Sequence, residues 1–390
     1  MARRLYTGID IGTYHVKVVI AAPQENPELP LAIIGAGTAI SKGLRHGYIV
    51  DVKEAGKSVR EALERASTAA KVHVRSARVA LGGIGLEEVR SSGEISLTQS
   101  GGIVTDTTIE RLLRESEKKA LAKTVNRTLV HAIPLEYRVD GARVYGKPNG
   151  LQGTKLAVDT LLITMLTQHQ DDVVEAVEAA GVEVEGAVAA PLAASLVTLT
   201  KAQKAAGVVL ANIGSETLSV AVFEDDIPIS VKIFPTGSGG ITETLALSLR
   251  IPLTEAESLK RGGVTGSDIP ERRLYTIVAT ELKEMYMLVN AHLKSIGRHR
   301  LLPAGIVITG GGSGLASASE IASTILKLPS MIGQIGHLPR SSSVDATWAV
   351  AYGLCRWAYA EDTSGSSSTF GEVFGGALDS LKRGLRSLLP

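Results

Sequence analysis

Asp10, Gly12 and Thr13 are the first residues in the chain whose types and spacing could do chemistry. Apolar residues surround Asp10 and a β-branched run follows from Val16 to Ile20, which reads as two strands joined by a tight turn at Gly12-Thr13. In such a turn, backbone amides and the Thr13 hydroxyl converge on one spot, which suits a phosphate. Asp10, ending the first strand, is placed to hold Mg²⁺ through water, because that ion keeps much of its hydration shell. An ordinary hairpin turn has the same pattern, so this motif alone leaves both readings open.

The pattern returns later. Gly207 to Val222 again runs strand, Gly turn, hydroxyl, strand, with Asn212-Ile213-Gly214-Ser215 echoing Asp10-Ile11-Gly12-Thr13. A duplicated strand–turn–strand predicts two similar domains that hold a phosphate between facing turns. Two further Gly-rich turns strengthen this. Thr236 to Gly240 precedes a helix expected over Ile241 to Leu249, and Thr309 to Gly314 lies between a strand at Gly305 to Ile308 and a helix at Ser317 to Leu326. Glycines there let backbone approach a ligand and leave helix N-terminal amides available to an anion.

The elements that must position these turns alternate as in an α/β protein. Strands are expected at Leu31 to Ala39, Gly47 to Val50 and Ala77 to Leu81, with a helix at Lys53 to Ala70. From residue 83 to about 165 the texture changes: strands at Glu87 to Leu97, Thr128 to Val139 and Lys155 to Thr164 surround one helix, Asp106 to Ala122, with Asp106 as an acidic cap. This reads as an inserted α+β subdomain. Helices return over 170–200, split by a strand segment from Gly181 to Val188.

Composition narrows the function. The chain is 44% hydrophobic with only 4% aromatic and 41 glycines, a core of Ala, Val, Leu and Ile that suits α/β layers. Forty-one basic residues balance forty acidic ones, so there is no global field for nucleic acid, and none is expected as a partner. The single Cys355 excludes a disulfide framework within the chain and fits a reducing cytoplasm. No apolar run reaches the ~18 residues of a spanning helix, and a soluble cytoplasmic chain is expected unless something lays it on a membrane. The eight histidines are scattered, without metal-ligand spacing.

That exception is supplied by residues 361–390. A polar linker, 361–368, precedes Thr369-Phe370-Gly371-Glu372, which matches a capping box. Phe370, Val373, Phe374, Ala377, Leu378, Leu381, Leu385, Leu388 and Leu389 then fall on one helical face, with Lys382, Arg383 and Arg386 on the other. An apolar face flanked by cations fits an interfacial helix on anionic lipid; packing on the protein's own body is the alternative.

The hairpin loops and the late Gly-Gly-Gly turn resemble the actin-like ATPases, a superfamily that includes actin and the sugar kinases. Within it the chain most resembles the FtsA family. The resemblance rests on Ser41 to Asp51, His131-Ala-Ile-Pro-Leu-Glu-Tyr-Arg-Val-Asp-Gly141, Ala190 to Ser195, Ile251 to Glu257 and Leu302 to Gly312. It implies an α/β fold of two duplicated actin-like (ribonuclease-H-like) domains around a nucleotide cleft, with an FtsA-type inserted α+β subdomain. The implied layout is 1–82 with 166–205, the insertion 83–165, a second domain of 206–240 with 306–360, its smaller lobe 241–305, the linker 361–368 and a membrane-targeting helix 369–390. It assigns Asp10, Gly12, Thr13, Tyr14 and Lys17 to a first phosphate loop and Gly214, Ser215, Glu216 and Thr217 to a second. Gly237, Ser238 and Gly239 would face the phosphates, Gly310, Gly311, Gly312 and Ser313 the adenosine, and Glu257, Lys260 and Arg261 the ribose and base. ATP and Mg are the implied cofactors.

The resemblance further implies a protein that polymerises on the cytoplasmic membrane at the division septum, recruits the FtsZ C-terminal peptide, and meets other divisome proteins through the inserted subdomain. Phe370, Val373, Phe374, Leu378, Leu381, Lys382, Arg383, Leu385, Arg386, Leu388 and Leu389 would touch the membrane. Several positions depart from the family. Asn212 and Ser219 stand where its second loop has Asp, Ala190 where it has an acid, and His15 where it has Lys, with Lys17 close by. Glu281 replaces an Arg of the FtsZ pocket, leaving Arg272, Arg273, Lys294, Arg298 and Arg300 as the expected basic surface there. Slow or absent hydrolysis follows, because an amide or methyl cannot orient metal-bound water. Two alternatives remain open: a PilM-like partner of a type IV pilus machine, whose Lys position Lys17 matches, and an actin-fold phosphotransferase, which Ala190 and Asn212 oppose.

Overall fold

A computed structural model of the chain describes residues 4–26, 29–98, 101–122, 124–263, 269–335 and 344–363. The eleven residues expected to touch a membrane lie outside the described residues, as does the rest of 364–390.

The chain opens with the hairpin β1 (Tyr6–Ile11) and β2 (His15–Ala22), followed by β3 (Ala32–Ile40) and a small two-stranded piece, β4 (Leu44–Arg45) and β5 (Tyr48–Ile49). Helix α1 (Val52–Ala70) starts where the Asp51 side chain accepts from the Glu54 amide at 3.1 Å, and its Ala55, Val59, Ala62 and Ala66 recur at helical spacing as a buried stripe. β6 (Ser76–Leu81) then enters the sheet parallel to β1.

The next segment folds as a separate antiparallel sheet. Its strands are β7 (Glu87–Ser96), β8 (Arg127–Val139), β9 (Ala142–Val144) and β10 (Lys155–Leu166), in the order β7-β10-β8-β9, with α2 (Asp106–Leu121) on one face. Thr105 caps α2 in a reciprocal box with Thr108, and Asp106 sits in the first turn; the cap therefore falls one residue before the Asp106 expected for it. The shorter hydroxyl side chain reaches the third amide while the carboxylate lies along the dipole. His131, fully buried on β8, accepts from the Ala189 amide at 3.0 Å and lies 5.2 Å from the Trp357 ring.

The chain returns through α3 (Thr167–Glu178), β11 (Glu183–Ala189), α4 (Ala190–Thr198) and α5 (Lys201–Ala206). A third sheet follows from β12 (Val208–Ile213), β13 (Leu218–Glu224), β14 (Ile227–Phe234), β15 (Ile306–Thr309) and β16 (Ser330–Ile332). The helices threaded through it are α6 (Ser238–Leu249), α7 (Leu253–Lys260), α8 (Glu271–Ser295) and α9 (Ala318–Leu326), and α10 (Ala349–Thr363) ends the described chain. The duplication is explicit in the topology. The first sheet runs β3-β2-β1-β6-β11 and the third β14-β13-β12-β15-β16, each with three antiparallel strands continued by two parallel ones.

Alternation along β12 and β13 gives the third sheet two dry faces. Leu210, Ala221 and Phe223 join the core shared with α4 and the first sheet, while Val209, Ala211, Val220 and Val222 meet the core closed by α6, α8 and α9. One expected boundary is displaced: the second domain is expected to include 306–360, but α10 buries Val350, Leu354 and Trp357 in the first core and Tyr352 and Cys355 against Tyr6 and Val19. A helix with small residues along its length needs a flat partner, and β1 with α4 supplies it.

The insertion is seated on the third sheet as well as on its own stem. Glu88 of β7 accepts from the Ser230 hydroxyl at 3.0 Å and the Val231 amide at 2.6 Å, and Arg90 donates to the Ile229 carbonyl at 2.8 Å. His292 of α8 lies 2.8 Å from the Ser230 hydroxyl, and burial, with help from the Lys232 charge, pushes its pKa from 6.5 down to about 4. Between those two values the unfolded chain binds the proton and the fold refuses it, so stability falls as pH drops through that window. A loss of about 1–2 kcal/mol is expected after solvent screening. Urea titrations at pH 7 and pH 4 check it, and His292→Gln should remove this part of the slope.

Candidate nucleotide cleft

The two Gly turns face a common cleft of about 1000 Å³. Each is closed by the same bond: Gly12 donates to the His15 carbonyl at 3.2 Å, and Gly214 to the Thr217 carbonyl at 2.8 Å. Strand register places Asp10 opposite Lys17 in one hairpin and Asn212 opposite Ser219 in the other, so the echo in sequence is an echo in space with the charges removed. Ala190, Asn212 and Ser219 all line the cleft at the positions where carboxylates were expected.

Asp10, Gly12, Thr13, Tyr14, Lys17, Gly214, Ser215, Thr217, Ser238, Gly239, Glu257, Lys260, Arg261, Gly310 and Gly311 are brought together along its wall. Four expected residues are not part of that wall. Glu216 instead reaches the opposite half, where its carboxylate accepts from the His46 amide and lies 3.9 Å from the His46 ring nitrogen. Gly237 is packed against the Ser215 backbone, too closely for any Cβ. Gly312 rests on Ile213, and the buried Ser313 hydroxyl donates to the Gly310 carbonyl at 2.7 Å.

The first turn of α6 also differs from expectation. Its Ser238 and Gly239 amides donate to the carbonyls of Gly214 at 2.9 Å and Ser215 at 2.7 Å. Those donors brace the second loop rather than waiting for an anion, because the helix begins three residues earlier than the apolar pattern indicates, inside the glycine run.

Around the mouth, Lys260 contacts Glu257 at 2.6 Å and donates to the Thr242 hydroxyl at 2.8 Å and the Ser238 carbonyl at 2.9 Å. Arg261 binds the other Glu257 oxygen at 2.7 Å and lays its guanidinium 5.5 Å from the centre of the Tyr14 ring, across the cleft. Glu257 is held below the usual carboxylate range: burial opposes this, but its bonds to Lys260, Thr242 and Arg261 outweigh it. Asp10 is the reverse case. Burial pushes it up to about 6 although the Lys17 charge pulls it down.

Sequence reading missed a further set. Asp345, Thr347 and Trp348 line the cleft from the segment before α10, and Lys17 Nζ donates to the Thr347 carbonyl at 2.6 Å. The Asp345 carboxylate accepts from the Thr347 amide at 2.9 Å and hydroxyl at 2.6 Å. An Asp-Ala-Thr run ahead of an apolar helical stretch was the available signal.

The basic residues expected to form one partner surface are not together. Arg272 and Arg273 start α8, whereas Lys294 closes it, about 30 Å away at 1.5 Å per residue. Arg298 is paired with Glu224 at 2.7 Å, Arg273 donates to the Ser248 carbonyl at 2.8 Å, and Glu281 accepts from Thr244 at 3.0 Å.

Of the carboxylates that could hold a magnesium ion through water, Asp10 lies opposite Lys17 in the hairpin and Asp345 lines the same cleft, whereas Asn212, Ser219 and Ala190 put an amide, a hydroxyl and a methyl there. Among the described residues there is no cluster of three or more His, Cys, Asp or Glu able to hold a metal.

Two family models match in order along the chain: an SHS2 domain inserted in FtsA over residues 83–164, and cell division protein FtsA over residues 209–353, together more than half of its length. Cell division protein FtsA of Borreliella burgdorferi is 27% identical over 382 residues, covering 91% of this chain and 91% of that protein. FtsA of Escherichia coli strain K12 is 26% identical over 359 residues, covering 85% and 84%. Among solved structures, the PilM–PilN type IV pilus biogenesis complex matches with a TM-score of 0.69 at 19% identity, over 91% of this chain and 98% of that one. MreB5 of Spiroplasma citri bound to ADP matches with a TM-score of 0.54 at 13% identity, over 94% and 99%. These likenesses show the two-domain actin-like fold.

Proposed function

Since the chain belongs to the FtsA family of actin-like cell-division proteins, we propose that it binds ATP in its cleft, polymerises on the cytoplasmic face of the membrane and tethers FtsZ at the division site. The observation that carries the nucleotide part is the pair of identically closed Gly-hydroxyl turns facing one cleft. Thr13 and Ser215 would hold phosphate oxygens, and Gly310 and Gly311 would let the adenosine lie close to backbone. Bound nucleotide supplies a polyanion that both turns can grip at once, drawing the halves together along the Tyr14–Arg261 and Glu216–His46 contacts.

Asn212, Ser219 and Ala190 leave the cleft positions expected to orient an attacking water without a carboxylate, and one such lost group costs roughly 10²–10³ in rate. The nucleotide then acts as a conformational latch. Residues 369–390 supply the membrane contact through their apolar face and cationic flank, and the FtsZ C-terminal peptide, further protomers and other divisome proteins bind the body.

Electron microscopy of the full chain on anionic lipid monolayers, with and without ATP, tests cleft and polymerisation together: filaments that form only with ATP are expected, and their absence in both conditions overturns the reading. In liposome co-sedimentation, deletion of 369–390 should reduce the bound fraction about tenfold; unchanged binding sinks the tether. Lys17 and the PilM-like fold favour one other reading, a pilus-machine partner. Pull-downs with an FtsZ C-terminal peptide against a PilN N-terminal peptide separate the two.

A further inference from the structure

Glu88 and Arg90 stand two apart on β7, on one face of that strand, and they meet β14 as a neighbouring strand would. β14 is an edge of the third sheet, and an edge strand presents free N–H and C=O groups. The Glu88 carboxylate takes the Val231 N–H at 2.6 Å, and the Arg90 guanidinium takes the Ile229 C=O at 2.8 Å. Ile229 falls in the register slip between β13 and β14, where a bulge leaves backbone groups to be satisfied from outside the ladder. Ser230, fully buried, donates its hydroxyl to the other Glu88 oxygen at 3.0 Å, which leaves its lone pairs for His292 Nε2 at 2.8 Å. One carboxylate thus joins the insertion, an edge strand of the second half and α8 of the smaller lobe.

Both sides of this junction lead into the cleft within a few residues. Gly82 and Gly83 line the cleft from the first half, and Glu88 follows Gly83 by five positions. On the other side Ile233, opposite Ser219, lines the cleft two positions after Val231. Just beyond it come Ser238 and Gly239, whose amides hold the Gly214 and Ser215 carbonyls of the second Gly turn. The insertion itself is rooted in the first half. Val130, Ile133, Leu161 and Ile163 are buried in the first core, which Val231 and Ile233 also join, and His131 accepts from the Ala189 amide beside Ala190 of the cleft.

We propose that Glu88 is a positioning residue for the cleft: through the insertion it braces β14, and with it the second Gly turn, against the first half, and so sets how fast nucleotide leaves. This rests on the reading of the cleft as a nucleotide site. By linkage, a nucleotide that draws the two turns together tightens the junction between β7 and β14, and whatever displaces the insertion weakens the hold on nucleotide.

Release of a fluorescent ATP analogue from the full chain into excess unlabelled ATP, with Mg²⁺ present, tests it. Glu88→Ala should raise the release rate about tenfold, the scale of one hydrogen bond to a charged group, with the association rate within about threefold of the original. Glu88→Gln, which keeps an oxygen for the Val231 amide, should restore most of the slow release. Glu110→Ala, which removes an exposed carboxylate of α2 paired with Arg114, is the control and should leave the rate unchanged. In the unaltered protein, saturating nucleotide should slow hydrogen exchange over residues 87–91 of β7, which stand outside the cleft wall, by about fivefold and leave α2 as it was. A Glu88→Ala release rate within about twofold of the original, or no nucleotide-dependent protection over 87–91, overturns the proposal while leaving the nucleotide reading intact. Absence of binding by the unaltered protein overturns both. The exchange comparison needs no variant, so a misfolded Glu88→Ala does not decide the outcome.

Discussion

Replacing Gly353 by valine is expected to destabilise the protein by about 3 kcal/mol or more, read as a fall in the denaturation midpoint, because α10 has no room to move on either side. A Cβ at Gly353 would meet the carbonyl of Ala193 on α4 well inside contact distance, and one at Gly8 of β1 would meet the Ala351 carbonyl of the same helix. The obstacle in both cases is backbone, which cannot rotate away as a side chain can. Retreat of α10 would uncover Val350, Leu354, Cys355 and Trp357, all buried, and would drag the Thr347 carbonyl from Lys17. Gly240→Ala is the control: nothing lies within 4 Å of that position in α6, and a gain of about 0.5–1 kcal/mol is expected there. A Gly353→Val protein within 1 kcal/mol of the original would refute the wedge between α4 and β1.

The second large effect lies at the other end of the same helix. Arg78→Met should cost about 3–5 kcal/mol, because it leaves the Glu361 carboxylate buried without its counter-charge. Arg78 and Glu361 are an ion pair with side chains only 10% and 12% exposed, and Glu361 also accepts from the Trp357 indole at 2.8 Å. Burial already raises the Glu361 carboxyl above its ordinary value, with the Arg78 charge and the Trp357 bond pulling it back. Without Arg78 only the Trp357 bond opposes the rise, so the loss should be largest at neutral pH and shrink toward acid, where the unfolded chain takes up the same proton. Arg78→Met combined with Glu361→Leu should recover most of the stability, and a double-mutant cycle should show coupling of at least about 2 kcal/mol. Additive losses would show that the pair is only a surface bridge. Under the proposed function this pair matters because Glu361 lies in the last turn of α10, ahead of residues 369–390, and passes any pull on them into β6.

Much of the candidate site was legible in the chain as text. Asp10-Ile-Gly-Thr and Asn212-Ile-Gly-Ser could be recognised as one motif written twice because a hairpin turn is specified by its own glycine, hydroxyl and flanking β-branched residues. The stripe of α1 and the one-turn spacing of Glu257 and Lys260 were legible for the same reason: both depend only on the helical period. The 25-residue α8 is harder to see, since its amphipathic pattern begins after Pro270 without a side-chain cap, and so nothing local separates the basic residues at its two ends.

By itself, then, the sequence determined the two phosphate-type turns, the alternation of strands and helices, the change of texture at the insertion and the loss of carboxylates at Asn212, Ser219 and Ala190. Tertiary structure alone decided that Lys17 meets Thr347 from 330 positions away, that Arg261 crosses the cleft to Tyr14, that Glu88 fastens the insertion to β14, and that α10 packs on the first half. The division follows from range. Turn chemistry and periodicity act over a few residues and are carried by residue type, whereas a contact between distant segments depends on which buried faces find one another, and many sequences of the same local pattern offer the same faces.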